Sequence, residues 1–403
     1  MKKKIIFMII NMNVGGTEKA LLNMIEQIPK EKYEITILML EKYGGFLSSI
    51  PPEVNVEYIK NYQNLKDILN KPPHRTALHL IKGGKFIRAF YILIFHLISK
   101  VYKDRSIFFK YILKNYPVIE KEYDVAIAYA GPMDFISYFV VSKINSKKRI
   151  QWIHFDVTKI GFDKHFATKI YNKFDRFFVV SGEAKTKLIS LVPTIEENTQ
   201  VFYNIVSSKV IQRQAKEGNG FNDEFDGLRI LTIGRLTMEK GQDIAIRVMS
   251  RLINEGYKVK WYCVGEGNAR ERYEKLIDKY NLKDKFILLG SESNPYPYLE
   301  QSDIYVQPSR YEGYCITLIE ARCLHKPIVT TDVNGAREQI MDGKTGLIVN
   351  IEENDLYNAV KKLIINSDLR DMFSYNLINE KFDPTSEIIK FHDYINDIKL
   401  PPS

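Results

Sequence analysis

The sequence has few of the features that mark secreted, metal-binding or membrane-spanning proteins. Its 403 residues contain three cysteines, Cys263, Cys315 and Cys323, which lie in apolar surroundings without CxxC spacing. This pattern argues against a disulfide framework or a zinc site and favours reduced thiols in a cytosolic protein. The seven histidines also lack metal-ligand spacing. No apolar run reaches the ~20 residues that a membrane-spanning helix needs.

Two common phosphate-binding signatures are also missing. The loop Asn13–Glu18 joins the first predicted strand to the first predicted helix and contains Gly15 and Gly16. It has neither the GxGxxG spacing of a dinucleotide site nor the GxxxxGK[ST] spacing of a P-loop, so a dehydrogenase and an NTPase are both disfavoured. Either the loop is an ordinary strand-to-helix turn, or its glycines let the backbone approach a ligand at the helix N-terminus.

The N-terminal residues superficially match a secretion signal. Three lysines at positions 2–4 precede the apolar run Ile5–Ile10. The run is short and lacks a small-residue cleavage site, so we expect a buried first strand instead.

The net charge of +9 is concentrated in one segment. Residues 60–120 contain twelve lysines and arginines and three acidic residues, so this segment carries a net charge equal to that of the whole chain. Charge needed only for solubility would be spread along the sequence. The segment is therefore predicted to form a surface for an anionic partner.

Length and pattern together predict two α/β domains. A chain of 403 residues is too long for one ordinary core. Short apolar strands alternate with helical patterns in both halves, which predicts two doubly wound, Rossmann-like domains with parallel sheets. The predicted strands are Lys3–Ile10, Tyr33–Leu40, Val54–Ile59, Asp124–Tyr129, Arg149–Ile153, Arg176–Val180, Leu228–Ile233, Val259–Val264, Lys285–Leu289, Asp303–Val306, Ile328–Thr330 and Gly346–Val349.

The predicted domain boundaries follow the breaks in this pattern. We expect an N-terminal domain at residues 1–204, with a basic, apolar insertion at about 60–120. A polar, turn-rich linker is predicted at residues 205–227 and a C-terminal domain at residues 228–384. A C-terminal helix within residues 385–403 is predicted to cross back to the first domain.

Charged and glycine-rich loops follow two strands of the second half. The loop Gly234–Gly241 carries Arg235 and Lys240, which could flank a diphosphate, the arginine by a forked contact and the lysine as a point charge. The alternative is two surface cations. The loop Val264–Asn268 would line the same crevice, because ligands bind at the carboxyl ends of parallel strands.

A pair of glutamates and one histidine complete the candidate site. Glu312 precedes a predicted helix that contains Glu320, and the helix N-terminus between them offers unpaired N–H groups. This arrangement suits a ligand with hydroxyls at both ends and negative charge in the middle, although two solvated glutamates would have the same spacing. His154 follows an apolar strand and could be an acid–base partner or a structural hydrogen-bonding group.

The sequence segments described above occur in the order and spacing that are found in one known family. They are Gly15–Glu18, Trp152–His154, Gly234–Leu236 with Lys240–Gly241, Gly265–Gly267, and the pair Glu312 and Glu320. Together they resemble the retaining family-4 glycosyltransferases, which have the GT-B fold. The resemblance extends over nearly the whole chain, and residues 123–156 are similar to the bacterial capsule and exopolysaccharide members.

The resemblance implies roles for individual residues. Arg235 and Lys240 would bind the donor diphosphate, Glu312 the hydroxyls of the donor sugar, and Glu320 those of the ribose. His154 would lie near the reacting carbon. The implied catalytic set is Glu312, His154, Lys240 and Arg235. The implied donor-binding set is Gly16, Arg235, Lys240, Gly265, Glu312, Tyr314, Cys315, Ile316, Thr317 and Glu320.

One stretch departs from the family pattern. Relatives commonly carry glycine or proline two or three residues after the first glutamate, whereas this chain has Tyr314, Cys315 and Ile316 there. The shape of the sugar pocket, and with it the choice of donor, is expected to depend on this stretch. UDP-linked hexoses or N-acetylhexosamines are favoured, and GDP-linked mannose stays open.

The implied reaction retains the anomeric configuration and requires no metal or other cofactor. The acceptor hydroxyl would attack from the face that the diphosphate leaves, and the leaving phosphate oxygen would take the proton. The chain contains no Asp-x-Asp triplet, which fits the metal-independent pattern. The expected acceptor is a hydroxyl of a glycan, carried on a lipid diphosphate, in cell-surface polysaccharide synthesis.

The basic insertion suggests where the reaction takes place. Within residues 82–117, a predicted helix has a cationic edge and a broad apolar face. Such a helix can lie in the interface of an anionic membrane. We therefore expect a cytoplasmic protein, peripheral on the inner face of the cell membrane. The alternative is that the apolar face packs on the domain core and the charges are solvated.

Three other functions compete with a transferase. A GT-B epimerase would need a catalytic carboxylate and histidine set, which the sequence does not reveal. A sugar-nucleotide sensor or scaffold is disfavoured by the intact Arg235, Lys240, Glu312 and Glu320. A nucleic-acid binder is disfavoured because the charge is confined to an apolar insertion and no known motif is present.

Overall fold

Two parallel sheets, each in its own unit, organise the fold. The computed structural model describes residues 2–380, 383 and 385–396. The first unit contains the described residues of ranges 1–180, 184–202 and 390–403, and the second those of 181–183 and 203–389. The predicted pair of Rossmann-like α/β sheets is confirmed.

The first sheet has seven strands in the order β3-β2-β1-β4-β5-β6-β7. They are β1 (Lys3–Ile9), β2 (Tyr33–Met39), β3 (Asn55–Tyr58), β4 (Ile119–Ala128), β5 (Ile144–Ile153), β6 (Arg176–Val179) and β7 (Thr199–Val201). All neighbouring pairs are parallel. Ile5–Ile9 of β1 is buried throughout, as expected for a strand covered on both faces. The apolar N-terminal run is thus a strand of this sheet.

Eight helices accompany the first sheet. They are α1 (Gly16–Gln27), α2 (Gln63–Asn70), α3 (Pro73–Lys82), α4 (Phe86–Val101), α5 (Arg105–Ile112), α6 (Asp134–Lys143), α7 (Lys164–Tyr171) and α8 (Gly182–Leu191). Single 3₁₀ turns lie at Leu47–Ser49 and Pro193–Asn198. None of the helices in the described part of the chain combines the length and apolar character needed to cross a membrane.

The second sheet has six parallel strands in the order β10-β9-β8-β11-β12-β13. They are β8 (Leu228–Ile233), β9 (Val259–Val264), β10 (Phe286–Gly290), β11 (Ile304–Gln307), β12 (Ile328–Thr331) and β13 (Gly346–Val349). The helices are α9 (Ser208–Gln214), α10 (Gln242–Asn254), α11 (Arg270–Lys279), α12 (Tyr296–Gln301), α13 (Ile316–Cys323), α14 (Ala336–Gln339), α15 (Glu353–Ile365) and α16 (Ser367–Asn379). A 3₁₀ turn at Met238–Lys240 precedes α10.

The structure differs from the predicted elements mainly where polar residues extend a strand. β4 and β5 each begin five residues before the predicted start, in the stretches Ile119–Tyr123 and Ile144–Lys148. These extensions are polar and partly exposed, so they lack the apolar pattern used for prediction. β7 was not predicted. Helix α9 occupies part of the predicted linker, where Ile211 is buried.

The C-terminal helix α17 (Ile388–Ile395) packs on the first unit from Lys390 onward. Phe391 is fully buried, with its ring centroid 6.3 Å from that of Phe7 and 6.4 Å from that of Trp152. The Lys3 ammonium donates a hydrogen bond to the Ile395 carbonyl at 2.8 Å. Residues 397–403 of the predicted C-terminal segment lie outside the described residues.

Helix α4 exposes most of the apolar face predicted for it. The buried side chains are Ala89, Ile92 and Ser99, which lie within the arc that was predicted to be polar and cationic. The exposed apolar side chains are Phe86, Ile87, Phe90, Tyr91, Leu93, Leu97 and Val101. The alternative, in which the apolar face of α4 packs on the domain core, is therefore wrong for most of the length of the helix.

His154 lies beyond the carboxyl end of β5 in an aromatic cluster. Its ring centroid is 4.6 Å from that of Tyr129 and 6.2 Å from that of Trp152. The side chain is buried, and burial lowers the pKa of the imidazole to about 3, although a hydrogen bond to the Tyr129 backbone opposes this shift. The imidazole is therefore neutral at physiological pH.

We predict that Phe391→Ala lowers the free energy of unfolding of the first unit by about 3–5 kcal/mol, because it leaves a cavity between α17 and the sheet. The matched control is Ile389→Ala, two residues away with an exposed side chain, for which a change within about 0.5 kcal/mol is expected. Urea unfolding of both variants would be followed by tryptophan fluorescence in a Trp261→Phe background. The signal then comes from Trp152, the tryptophan of the first unit. Equal stabilities of the two variants would contradict the packing of α17.

We also predict that the first unit loses stability in acid through His154. The folded pKa of about 3 is below the unfolded value of about 6.5. Below pH 6.5 the unfolded chain therefore binds a proton that the folded chain does not. The loss approaches about 1.4 kcal/mol per pH unit as the pH falls, or about 2 kcal/mol at pH 5.

Urea unfolding at pH 7.5 and pH 5 would test this for wild type, His154→Gln and the exposed control His165→Gln. The difference between the two pH values should shrink by about 2 kcal/mol in His154→Gln alone. An identical pH dependence in all three proteins would show that His154 is not a buried neutral group.

Candidate functional site

The candidate donor site lies where the second sheet reverses its strand order. β8 and β11 are neighbours at its centre, with β9 and β10 on one side and β12 and β13 on the other. The loop after β8, Gly234–Gly241, and the loop after β11, Pro308–Cys315, leave the sheet at this point. In open α/β sheets, this reversal is where a ligand crevice forms.

An ion pair connects these two loops. The Lys240 ammonium donates to both carboxylate oxygens of Glu312, at 2.7 and 2.8 Å. The side chains are 18% and 9% exposed, so the pair is shielded but not closed to solvent. Burial opposes the charge on Lys240, but the Glu312 carboxylate beside it raises the pKa of the ammonium group above its ordinary value. Lys240 is therefore a fixed positive charge at the crevice.

Neighbouring side chains hold the Glu312 carboxylate in place. The Ser309 hydroxyl donates to its Oε1 at 2.6 Å, and the Gln307 amide lies 3.4 Å from the same atom. Gln307 accepts hydrogen bonds from Tyr305 at 2.5 Å and from Thr317 at 3.0 Å. The carboxylate is thus oriented before any ligand arrives, which lowers the cost of binding.

Backbone contact and a second ion pair fix the distance between the loops. Gly241 has a φ of +71°, and a Cβ at this position would lie 1.9 Å from the Pro308 carbonyl oxygen. Only glycine allows this approach. Arg310 donates two hydrogen bonds to the Asp243 carboxylate, at 2.7 and 2.8 Å. Burial opposes the charge on Asp243, but Arg310 lowers the pKa of that carboxyl.

Gly265 lies in the loop after β9 and contacts the loop that carries Arg235. It has a φ of +145°, and a Cβ there would lie 2.0 Å from the Gly234 carbonyl oxygen. The Leu236 amide donates to the Glu266 carbonyl at 3.0 Å. The close approach explains why glycine stands at position 265, and its predicted contact with the donor stays a prediction.

Arg235 is the most accessible charged group of this site. Its side chain is 54% exposed, and Glu239 lies 3.6 Å away. An exposed ion pair at this distance contributes little to stability. The guanidinium can therefore exchange this partner for a phosphate, with which it makes stronger forked hydrogen bonds.

The stretch after Glu312 is buried. Helix α13 begins at Ile316, so Glu320 lies in its second turn and its side chain is inaccessible to solvent. The Tyr296 hydroxyl donates to Glu320 at 3.2 Å. Tyr314 packs against Tyr203, with a centroid distance of 5.2 Å and the ring planes tilted by 35°. These buried side chains support the site from the protein interior, and their direct contacts with a donor stay predictions.

Cys315 and Thr317 stand on either side of the first helical residue. The Cys315 sulfur lies 3.1 Å from the Thr317 hydroxyl. Burial raises the pKa of the Cys315 thiol to about 12. Cys315 is therefore a packed, protonated thiol and a poor nucleophile.

The two remaining predicted residues belong to the first unit. Gly16 is the exposed first residue of α1, directly after β1 and its loop. His154 follows β5. Both positions follow the carboxyl ends of strands in the first sheet, where ligands of such sheets bind.

Several residues of the site were not predicted from the sequence. Gln307 and Ser309 lie shortly before Glu312 in the sequence, and this proximity could have been used to predict them. Arg310 and Asp243 are 67 residues apart, and no spacing rule connects them. Among the described residues, no three His, Cys, Asp or Glu side chains cluster closely enough to hold a metal ion.

Comparison with known proteins identifies the domain that carries this site. Residues 215–380 match the family model of glycosyl transferases group 1. A Campylobacter jejuni enzyme, N-acetylgalactosamine-N,N'-diacetylbacillosaminyl-diphospho-undecaprenol 4-alpha-N-acetylgalactosaminyltransferase, is 29% identical over 213 residues. The match covers 52% of this chain and 56% of that enzyme, so this chain spans little more than half the length of its relative.

A second relative and a solved structure agree with this assignment. The capsular polysaccharide biosynthesis glycosyltransferase CapM of Staphylococcus aureus is 25% identical, over 61% of this chain and 68% of CapM. A structure of S. aureus TarM in complex with fondaparinux, alpha-GlcNAc-glycerol and UDP superposes with a TM-score of 0.70. It covers 98% of this chain and all of that chain at 17% identity, a likeness of fold alone.

The fold, the loops of the second unit and the similar proteins lead to one assignment. The predicted fold and the predicted resemblance to glycosyltransferases are confirmed. The chain has the GT-B fold, and its residues 215–380 are similar to the glycosyl transferases group 1 family, whose similar members include a capsular polysaccharide biosynthesis glycosyltransferase.

Proposed function

We propose that the protein is a retaining, metal-independent glycosyltransferase. It transfers a hexose or N-acetylhexosamine from a UDP-linked donor to a hydroxyl of a glycan carried on a lipid diphosphate, in cell-surface polysaccharide synthesis. The observation that carries the proposal is the Lys240–Glu312 pair at the strand reversal of the second sheet. The names of the Campylobacter and Staphylococcus relatives, and the UDP in the TarM complex, support the choice of donor and acceptor.

Arg235 and Lys240 bind the donor diphosphate in this proposal. Arg235 is exposed and has only a distant carboxylate partner. Lys240 is held in one position by Glu312. Lys240, already in position, and Arg235, once it has exchanged Glu239 for a phosphate, stabilise the charge that develops on the leaving UDP.

Glu312 binds the donor sugar. A carboxylate is an acceptor-only group, so it suits the hydroxyl donors of a hexose. Ser309 and Gln307 hold it in one orientation. We also propose Glu320 for the ribose hydroxyls, a contact that requires local opening around Tyr296 because the Glu320 side chain is buried.

The reaction proceeds without a covalent enzyme intermediate in this proposal. The acceptor oxygen bonds to the anomeric carbon on the face that UDP leaves, the bond from that carbon to the phosphate oxygen breaks, and the leaving phosphate takes the acceptor proton. His154 serves as a neutral polar group near the reacting carbon. Its Nε2 atom is buried and has no hydrogen-bond partner among the described residues, so it is available to a substrate hydroxyl after local opening, as proposed for Glu320.

The acceptor is delivered at a membrane surface. The apolar face of α4 is exposed, and the segment around it is strongly basic. An exposed apolar face with a cationic border favours binding to an anionic leaflet. We therefore place the protein in the cytoplasm, peripheral on the inner face of the cell membrane.

We predict that Lys240→Ala lowers the rate of sugar transfer, or of slow donor hydrolysis, by about 100-fold or more, because one charge opposite the leaving group is lost. Lys258→Ala is the matched control, since it removes an exposed lysine paired with Asp226. UDP release from UDP-glucose and UDP-N-acetylglucosamine would be measured for both. Near wild-type release by Lys240→Ala would exclude its role at the diphosphate.

Glu312→Ala is predicted to separate sugar binding from UDP binding. The variant should lose at least tenfold in affinity for the UDP-sugar, because hydrogen bonds to a charged group contribute about 1.5–3 kcal/mol. Its affinity for UDP should be unchanged or higher, because Lys240 is released to the phosphates. Thermal shift titrations with UDP and UDP-sugar measure both affinities. An equal loss for the two ligands would contradict the assignment of Glu312 to the sugar.

A further inference from the structure

A cationic groove lies at the N-terminal end of α4, in the first unit. It has a volume of about 580 Å³ and runs between α2, α4 and α5. Lys85, Arg88 and Lys114 are its charged lining residues, and Tyr91 and Tyr111 are among its aromatic ones. This volume is in the range of small-molecule sites. The donor site described above, in the second unit, does not include these residues.

The groove has positive charge and no negative charge. No carboxylate lines it, and none forms an ion pair with Lys85, Arg88 or Lys114 among the described residues. The sequence from Ile68 to Lys103 contains no acidic residue at all. The Lys114 ammonium lies 5.0 Å from the centroid of the Tyr111 ring, which holds this charge at the groove wall. Three unpaired cations around one cavity favour an anionic occupant.

Exposed apolar side chains border the groove. Phe86 and Ile87 line it and are 62% and 76% exposed. Leu78 and Ile81 on α3 are also exposed, as are Phe90, Tyr91, Leu93, Leu97 and Val101 on α4. The face extends along the 16 residues of α4, about 24 Å at 1.5 Å per residue. Such a continuous apolar surface is unusual on a soluble protein and marks an interaction site.

A ligand with a phosphate group next to hydrocarbon chains would match this combination of groove cations and exposed apolar side chains. A phospholipid surface presents anionic phosphates directly above its acyl chains, so one docked orientation satisfies both the cations and the apolar face. A single polyprenyl chain with a diphosphate would cover only a narrow strip of α4. The breadth of the exposed face therefore favours the bilayer lipids over the lipid-linked acceptor.

We infer that this groove is a headgroup site that binds the phosphate of an anionic phospholipid through Arg88, Lys114 and Lys85, while the apolar face of α4 enters the acyl layer. The inference rests on the proposed membrane attachment and deepens it. It predicts recognition of the phosphate group itself, beyond attraction to negative surface charge.

The test compares three vesicle types of equal negative charge. The first contains phosphatidylglycerol, the second an anionic lipid with a carboxylate headgroup and no phosphate, and the third this carboxylate lipid together with a polyprenyl diphosphate. The groove variant is Arg88→Gln with Lys114→Gln. The matched control is Lys100→Gln with Lys110→Gln, which removes two exposed cations of α4 and α5 that do not line the groove. Flotation measures binding of the full chain, and circular dichroism with melting temperatures checks that all proteins are folded.

The wild type and the control variant should bind phosphatidylglycerol vesicles at least about fivefold more tightly than carboxylate vesicles, on the order of one well-placed cation–phosphate contact. Both variants should bind all anionic vesicles more weakly because each loses two charges. Only the groove variant should lose the preference for phosphate.

Four results would overturn the inference, and they differ from one another. Loss of preference to the same extent in both variants, or no preference in the wild type, would leave only bulk electrostatic attraction. A preference seen only for vesicles that carry a polyprenyl diphosphate would assign the groove to the acceptor. No wild-type binding to any vesicle would remove the proposed membrane attachment as well, while the donor experiments on Lys240 and Glu312 would stand unaffected.

Discussion

The ion pair between Lys240 and Glu312 is the interaction on which the proposed donor site depends. It places a fixed positive charge and an oriented carboxylate side by side at the strand reversal, between the loops that follow β8 and β11. The Gly241–Pro308 contact and the Arg310–Asp243 pair set the spacing of those loops. A nucleotide sugar carries the complementary groups, a diphosphate next to a hydroxyl-rich ring. The pair also neutralises itself in the absence of a ligand, which reduces the cost of keeping two charges shielded from water.

Most of the fold could be predicted because its strands are short and nearly continuously apolar. Strands covered on both faces, such as β8 and β9, have a sequence pattern that polar segments do not imitate. The pattern fails where this burial ends. The first half of β5 is polar and partly exposed, and β7 has only three residues at the sheet edge. The helix predicted within residues 82–117 is present as α4, but the side that it buries depends on α3 and α5, which its own periodicity does not encode.

The residues of the candidate site also fall into two groups, those that the sequence predicts and those that it does not. Arg235, Lys240 and Glu312 could be predicted because each follows a strand end and has a charge that suits a nucleotide sugar. The groups that orient them could not, because Arg310 and Asp243 meet only through the fold. The burial of Glu320 and Tyr314 likewise depends on Tyr296 and Tyr203, which are distant in sequence. Sequence spacing thus reveals charged groups proposed to contact a ligand more readily than the groups that hold them in place.

The proposed transferase combines two kinds of surface in one chain. In the proposal, the charged crevice of the second unit binds the soluble donor, and the exposed apolar and cationic surface of the first unit binds a membrane. The most direct measurement of the central claim is a crystal structure of the protein with an intact UDP-sugar. We predict that the diphosphate lies within hydrogen-bonding distance of Arg235 and Lys240, with the sugar hydroxyls on Glu312. A donor bound elsewhere, or a diphosphate that contacts neither cation, would contradict the account.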